Sequence, residues 1–492
     1  MATPEIKKYW QNFVDGEWCD GATNERIVVE NPATGEMLAE VARAMPADVD
    51  RAVAAARRRF NARTLIDMRP MARGALLLEI AAQMRAMAEE IALAECLDNG
   101  KTLAAGKNEA MAASRYFSYY GGATDKIEGR MIPLGAGYVD YTVPAPYGVS
   151  VQIVPWNFPL QIAARSVACA LATGNTVVLK SPELSPLSCY FIAEACKRAG
   201  VPDGAVNVLC GYGHDTGAAM VSHKDVDHIV FTGSLKTGQF ILRAAAERII
   251  PCVMELGGKS AGIVFPDADL DQVAASTAIG IFTNAGQVCS AASRLVVHRS
   301  RHDEVVAKIA AKARALSIGP GIDGKDLGPL ISGAQRDKVE AMCLAAQQEG
   351  AEAVTGGRRV DGLPGYFMQP TVFTGVKPDM TMAREEVFGP VLTVQVYDDP
   401  DEAIALANGT DYGLCAGVYT KDLRQAHWAA DRLVAGQVFV NEWFAGGIET
   451  PFGGTKRSGY GREKGQEALL SYVQTKNVGI RIDGSGGGRP GG

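Results

Sequence analysis

From Gly148 onward, short apolar runs alternate with helix-like segments: VSVQIV (149 to 154), NTVVLK (175 to 180), AVNVL (205 to 209) and DHIVF (227 to 231). Such runs, bounded by Gly, Pro or Asn and separated by helical stretches, are the pattern of a parallel sheet with crossover helices. In open α/β sheets ligands sit beyond the carboxyl ends of the strands, so the residues just after each run are the candidates for function. A second α/β section starts with AGIVF at Ala261 and continues past Glu386.

The flanking segments differ. Between Phe13 and Val41, turn signals at Asp15-Gly16 and Pro32-Ala33-Thr34-Gly35 predict hairpins. Residues 70 to 97 place Leu77, Ile80, Ala81, Met84, Met87, Ile91 and Leu97 close to helical spacing, with Asn99-Gly100 as a stop. Residues 128 to 146 break that pattern with Gly, Pro and an alternating YVDYTV run, a flap that pairs with a strand elsewhere, in this chain or another subunit. The closing GSGGGRPGG is low in complexity and is expected to be disordered.

A chain of 492 residues exceeds what one core usually serves, so two or three domains are expected. With 47% apolar and 21% charged residues the composition is that of a globular protein in water. Lys plus Arg number 49 against 55 acids, a formal charge of −6 without a long basic run, which argues against a nucleic-acid partner. No window reaches the roughly 18 uninterrupted apolar residues of a membrane span, and the N-terminus lacks a signal-peptide core. No membrane association and a cytoplasmic location are therefore expected. The ten cysteines include no Cys-x-x-Cys pair and no histidine at ligand spacing, so reduced thiols and a metal-free site are expected.

Several strand ends carry groups capable of chemistry. Pro155-Trp156-Asn157-Phe158-Pro159 can fix the Asn157 amide beside a reacting centre, as a donor to an oxyanion, or can simply be a turn before a helix. Lys180 and Glu183 can bind ribose hydroxyls or form a solvated pair. Thr232-Gly233-Ser234-Leu235-Lys236-Thr237-Gly238 offers N–H groups to a pyrophosphate, although its G-x-x-x-x-G spacing is equally that of an ordinary βα turn. Glu255, followed by Leu256-Gly257-Gly258, is either an acid facing a cavity, raised toward a useful general base, or a surface residue beside Lys259. In FTNAGQVCSAASRL (282 to 295), Cys289 has Gly286, Gln287 and Ser290 around it, a polar and flexible setting that suits a reactive thiol, whereas cysteine more often serves as a small buried hydrophobe.

Taken together, PWNFP (155 to 159), LKSPE (179 to 183), FTGSLKTG (231 to 238), ELGGKS (255 to 260), GQVCS (286 to 290), EEVFGPV (385 to 391) and PFGGTKRSGYGRE (451 to 463) resemble, in order, the motifs of the aldehyde dehydrogenase superfamily. The resemblance runs from about Phe13 to Asp483. It implies NAD-dependent oxidation of an aldehyde to a carboxylic acid. Cys289 would be the nucleophile, Asn157 an oxyanion donor, and Glu255 the base for thioester hydrolysis. Trp156, Gly233, Ser234 and Gly238 would contact the dinucleotide, Lys180 and Glu183 its adenine ribose, and Glu386 its nicotinamide ribose. Glu183 would repel a 2′-phosphate, hence NAD over NADP. Glu463 matches a position implicated in proton transfer.

By the same resemblance, Phe158, Ile162, Arg165, Val288, Phe444 and Phe452 line an aldehyde tunnel suited to aryl or medium-chain substrates. Arg165 also matches one carboxylate-binding residue of succinic semialdehyde dehydrogenases, with Thr283 in place of the second arginine, so a semialdehyde is the alternative. Coenzyme A acylation is a further alternative, against which Glu255 argues. The implied α/β fold has a Rossmann-like parallel-sheet coenzyme domain (1–127 and 147–257), a second α/β catalytic domain (258–457) and a small β oligomerisation arm (128–146 and 470–483), followed by a disordered tail (484–492). A neighbouring subunit would cover the arm's edge in a homo-oligomer, dimer or tetramer.

Overall fold

Five parallel strands form the centre of the first sheet: β1 (Val149–Ile153), β2 (Thr176–Ser181), β3 (Val206–Cys210), β4 (His228–Thr232) and β5 (Cys252–Glu255). Their order across the sheet is β5-β4-β1-β2-β3 in a computed structural model that describes residues 6–482. The tail at 484–492 lies outside the described residues. Every residue of β2, β3 and β4 is buried, which is why these runs read as nearly continuous apolar segments. Antiparallel strands extend both sides, Asn12–Val14 and then Glu17–Cys19 beyond β3, and Gly459–Tyr460 beside β5. The chain winds one way from β1 through β2 to β3 and the other way through β4 and β5, so β1 and β4 flank a crevice at their carboxyl ends.

Helices cover the sheet. α1 (Pro159–Thr173) follows β1, starts with proline in its first turn and stops at left-handed Gly174. All its residues but Gln161 are buried, as expected of a helix that is apolar around its circumference. α2 (Leu187–Arg198) follows β2, and α3 (Leu235–Ala246), capped by Ser234, follows β4. The segment 70 to 97 is two helices, Pro70–Ala86 and Ala88–Asn99, parted at Met87. Glu89 and Glu90 fall in the first turn of the second, where the helix dipole favours acids.

The second sheet comprises β6 (Ala261–Val264), β7 (Arg294–His298), β8 (Thr371–Thr374), β9 (Val391–Tyr397), β10 (Cys415–Tyr419) and β11 (Gln437–Val440), in the order β8-β9-β7-β6-β10-β11, with Glu352–Thr355 antiparallel at the β8 edge. From β6 the helix α4 (Leu270–Phe282) leads to the loop bearing Cys289. A third, small sheet holds the flap. Tyr138–Pro146 is its central strand, paired through nine positions with Val473–Arg481 of the same chain and on its other side with Met131–Ile132. Among the described residues no helix is long and apolar enough to cross a membrane, and all ten cysteines are unpaired thiols.

Candidate active site

The loop that carries Cys289 is pinned, not flexible as its composition suggests. After α4 the chain makes one tight turn in which Asn284 (φ 50), Ala285 (φ 52) and Gly286 (φ 71) are all left-handed. A β-carbon on Gly286 would lie 2.0 Å from the Gly389 carbonyl oxygen, so only glycine fits. Beyond it, Gln287 is fully buried; its Oε1 accepts from the Ile331 N–H at 2.9 Å and its Nε2 donates to the Asn284 carbonyl at 3.1 Å. On the other side of the cysteine, the Trp443 indole donates to the Ser290 carbonyl at 2.9 Å.

The end of β1 is tied to the same loop. Asn157 is buried; its Nδ2 donates to the Gln287 carbonyl at 2.9 Å, and its own carbonyl accepts from Asn284 Nδ2 at 3.1 Å. One residue earlier, the Trp156 carbonyl accepts from the Asn99 side chain and from Ser185 Oγ. An amide side chain has two N–H donors and Gln287 uses one of Asn157's. The other is available to a ligand.

Two cavities meet at Cys289. The first lies over the ends of β1, β4 and β5 and is lined by Trp156, Asn157, Thr232, Gly233, Ser234, Glu255, Glu386 and Phe388 among others. The second lies beside α1 and is lined by Phe158, Ile162, Arg165, Val288, Phe444 and Phe452, together with Tyr116, Gln161, Gln437 and Lys464. Cys289 is the residue common to both.

Burial dominates the electrostatics of the first cavity. Glu255 ends β5, is 1% exposed, and neither carboxylate oxygen has a hydrogen-bond partner among the described residues. Desolvation pushes its pKa well above the usual carboxylate range; Arg165 opposes the rise and Glu463 adds to it. Glu386 accepts a hydrogen bond from the Gly258 N–H at 3.0 Å, and burial raises it to about 7. A β-carbon on Gly257 would stand 2.3 Å from Glu386 Oε2, so glycine makes room for this carboxylate. The Cys289 thiol is pushed up to about 12 by burial, against the pull of Arg165. At neutral pH it is protonated and needs a base to become a nucleophile.

This geometry coincides with a clear kinship. Residues 18–478 match the sequence profile of the Aldehyde dehydrogenase family. The chain belongs to the aldehyde dehydrogenase family. It is 42% identical to an aldehyde dehydrogenase of Aspergillus niger, covering 98% of both chains. A structure of an aldehyde dehydrogenase from Bacillus cereus in complex with NAD+ superposes with a TM-score of 0.95 at 40% identity, covering 97% of each chain. Indole-3-acetaldehyde dehydrogenase of P. syringae, a cysteine variant in complex with NAD+ and IAA, gives 0.95 at 38% identity, also covering 97% of each.

Within this aldehyde dehydrogenase, all six residues expected along the tunnel line the second cavity. The expected cofactor residues divide. Trp156, Gly233, Ser234 and Glu386 line the first cavity. Lys180 and Glu183 stand at the end of β2, away from that lining, in an ion pair of 2.9 Å. Gly238 packs α3 onto β5's outgoing chain, since a β-carbon there would lie 2.7 Å from the Leu256 side chain. Glu463 lines neither cavity. It is 2% exposed and accepts from the Arg165 guanidinium, from Ser166 Oγ at 3.2 Å and from the Tyr472 hydroxyl at 3.2 Å. Arg165 is thereby committed to an internal partner, and its Nη2 also reaches Thr232 Oγ1 at 3.4 Å. Tyr116 and Lys464 also line the second cavity, though no motif marks them; Lys464 follows directly on Glu463, the last residue of the final motif.

Proposed function

We propose that this enzyme oxidises an aryl or medium-chain aldehyde to its carboxylic acid with NAD, through a thioester on Cys289. The observation that carries the reading is the position of Cys289 as the shared wall of two cavities, one backed by strand ends and holding the Glu255 and Glu386 carboxylates, the other walled in part by the rings of Tyr116, Phe158, Phe439, Phe444 and Phe452. A dinucleotide suits the first. It opens where the strand order reverses, it meets the capped N-terminus of α3, and Gly257 leaves space around the Glu386 carboxylate. Trp156, Gly233, Ser234 and Glu386 hold the cofactor there, with Lys180 and Glu183 reaching its adenosine end. The chemistry that bound NAD supplies is acceptance of the hydride as the thiohemiacetal on Cys289 becomes a thioester.

The chain's own groups do the rest. Cys289 Sγ attacks the aldehyde carbon, its proton passing to a base; Glu255, with both oxygens unpartnered, is that base. The alkoxide receives the free N–H of Asn157 Nδ2 and the Cys289 N–H. Glu255 passes the thiol proton to solvent and then takes one from the water that attacks the thioester; the C–S bond breaks, Glu255 returns the proton to the departing sulfur, and the acid leaves with the thiol restored. The sheets divide these tasks: a coenzyme domain (1–127 and 147–257), a catalytic domain (258–457) and an arm (128–146 and 470–483) whose outer strand joins subunits of a homo-oligomer. Replacing Cys289 by Ala removes NADH formation by about 10³-fold or more across a panel of aldehydes. NADH production at the wild-type rate in that variant would overturn the reading.

A further inference from the structure

Two cations flank the Phe452 ring in the substrate-side cavity, and only one is neutralised. The Arg165 guanidinium lies 5.4 Å from the ring centroid and the Lys464 ammonium 5.7 Å. Arg165 is paired with Glu463. The Lys464 side chain has no hydrogen bond or ion pair within the described residues, and it lines the cavity that Cys289 also lines.

Its placement is imposed by the backbone. Phe452 and Glu463 exchange both of their backbone hydrogen bonds, at 2.6 and 2.7 Å. The next residue, Lys464, is left-handed with φ 64, a conformation that residues with a β-carbon rarely adopt. Three other titratable groups act on it, Arg165 on α1, Cys415 on β10 and the exposed Glu449, which forms no ion pair with it, while Glu463, beside it in sequence, is engaged with Arg165. Burial, and after it Arg165, lowers the lysine to about 8, with Cys415 and Glu449 opposing. A half-buried positive charge without a counter-ion is therefore left facing the space where the body of the aldehyde lies.

We propose that Lys464 determines specificity for aldehydes that carry a carboxylate remote from the carbonyl, binding that carboxylate while Cys289 meets the aldehyde carbon. The proposal rests on the oxidation described above and names its substrate class. It places the recognition of the anion on Lys464, since Arg165 is already occupied by Glu463.

The test compares 4-formylbenzoate with 4-formylbenzamide, which share the ring and the reacting carbonyl and differ in charge. The full-length enzyme with NAD is expected to favour the acid by specificity constant, and Lys464→Met to cut the acid-to-amide ratio by about tenfold or more. Lys464→Gly, which accepts the left-handed backbone without strain, gives the same loss, and Lys464→Arg restores much of the preference. In the wild type the ratio falls as pH rises through about 8, because the lysine is a cation only below that value; in Lys464→Met it is flat. An unchanged ratio in both Met and Gly variants, or a wild-type preference for the amide, overturns the proposal. Absence of NADH from both aldehydes with the wild type overturns the oxidation itself.

Discussion

Glu255 and Glu463 are two buried acids that both feel Arg165, and the fold treats them in opposite ways. Glu463 accepts from a guanidinium and two hydroxyls. Glu255, equally buried, accepts from nothing. Buried polar groups are ordinarily satisfied, so the satisfied acid belongs to the architecture and the orphan is held for a reactant. The two cavities that meet at Cys289 differ in a related way: the first holds the unpartnered Glu255, the second holds Arg165, already paired with Glu463, beside the rings of Phe158, Phe444 and Phe452.

Removing the orphan acid tests the contrast most severely. Glu255→Gln is expected to lower kcat by about 10²–10⁴-fold while leaving the melting temperature within about 2 °C. Rapid-mixing measurements should still detect a first turnover of NADH if a neighbouring water takes the thiol proton, with hydrolysis becoming the slow step. A near-normal kcat would mean that the unpaired carboxyl is not the base. The converse change is Glu463→Leu, which leaves Arg165 buried without its partner and is expected to cost about 3–5 kcal/mol. Combining it with Arg165→Met should recover most of that loss, since an apolar pair of similar volume replaces the ions. Thermal unfolding of the single and double variants measures this directly, and equal melting temperatures for Glu463→Leu and the wild type would break the comparison.

The two acids also show what a sequence can and cannot display. Strand runs such as NTVVLK are legible because burial on both faces demands uninterrupted apolar residues, whereas Cys289, Glu386, Glu463 and the residues expected along the tunnel are marked by the resemblance of the motifs around them to the aldehyde dehydrogenase superfamily. The Arg165–Glu463 pair spans 298 positions and depends on how α1 meets the C-terminal segment, for which no local pattern exists. The turn before Cys289 was hidden for another reason: two of its three left-handed residues are Asn284 and Ala285, which carry no glycine signal. A polar loop consequently read as flexible although hydrogen bonds hold it on both sides. Gly238, which looked like a phosphate contact, is needed for the close approach of α3 to Leu256. Lys464 went unmarked because its role comes from a backbone angle and a cavity, neither of which spacing reveals.

The cysteine between the cavities gives a smaller, graded effect. Burial pushes its thiol up to about 12, so the reactive thiolate is a minor species at neutral pH. Alkylation of Cys289 by iodoacetamide, followed by peptide mass spectrometry without cofactor, is expected to speed up about tenfold per pH unit between roughly pH 7 and 10, because deprotonation rises with pH until the pKa is reached. A plateau below pH 8 would show that a nearby base already holds the proton. In Arg165→Met, which removes the cation that draws the thiol down, the same curve should shift to higher pH.

Glu183 lies between the two extremes, paired once with Lys180 at 2.9 Å and about a third exposed. A charge so placed is partly screened by water, so its effect on ligand choice is expected to be modest. The sign is nevertheless fixed by the pair's composition. If the adenosine end of the cofactor reaches this pair as proposed, a 2′-phosphate meets a negative charge there; with Glu183→Ser, the Lys180 ammonium keeps only the Ser181 carbonyl and becomes available to the phosphate. The ratio of specificity constants for NADP over NAD is therefore expected to rise by about tenfold, with kcat on NAD little altered because neither residue lines the cavity at Cys289. If the ratio does not move, Glu183 is a partner for Lys180 alone, and it joins Glu463 among the acids that hold structure.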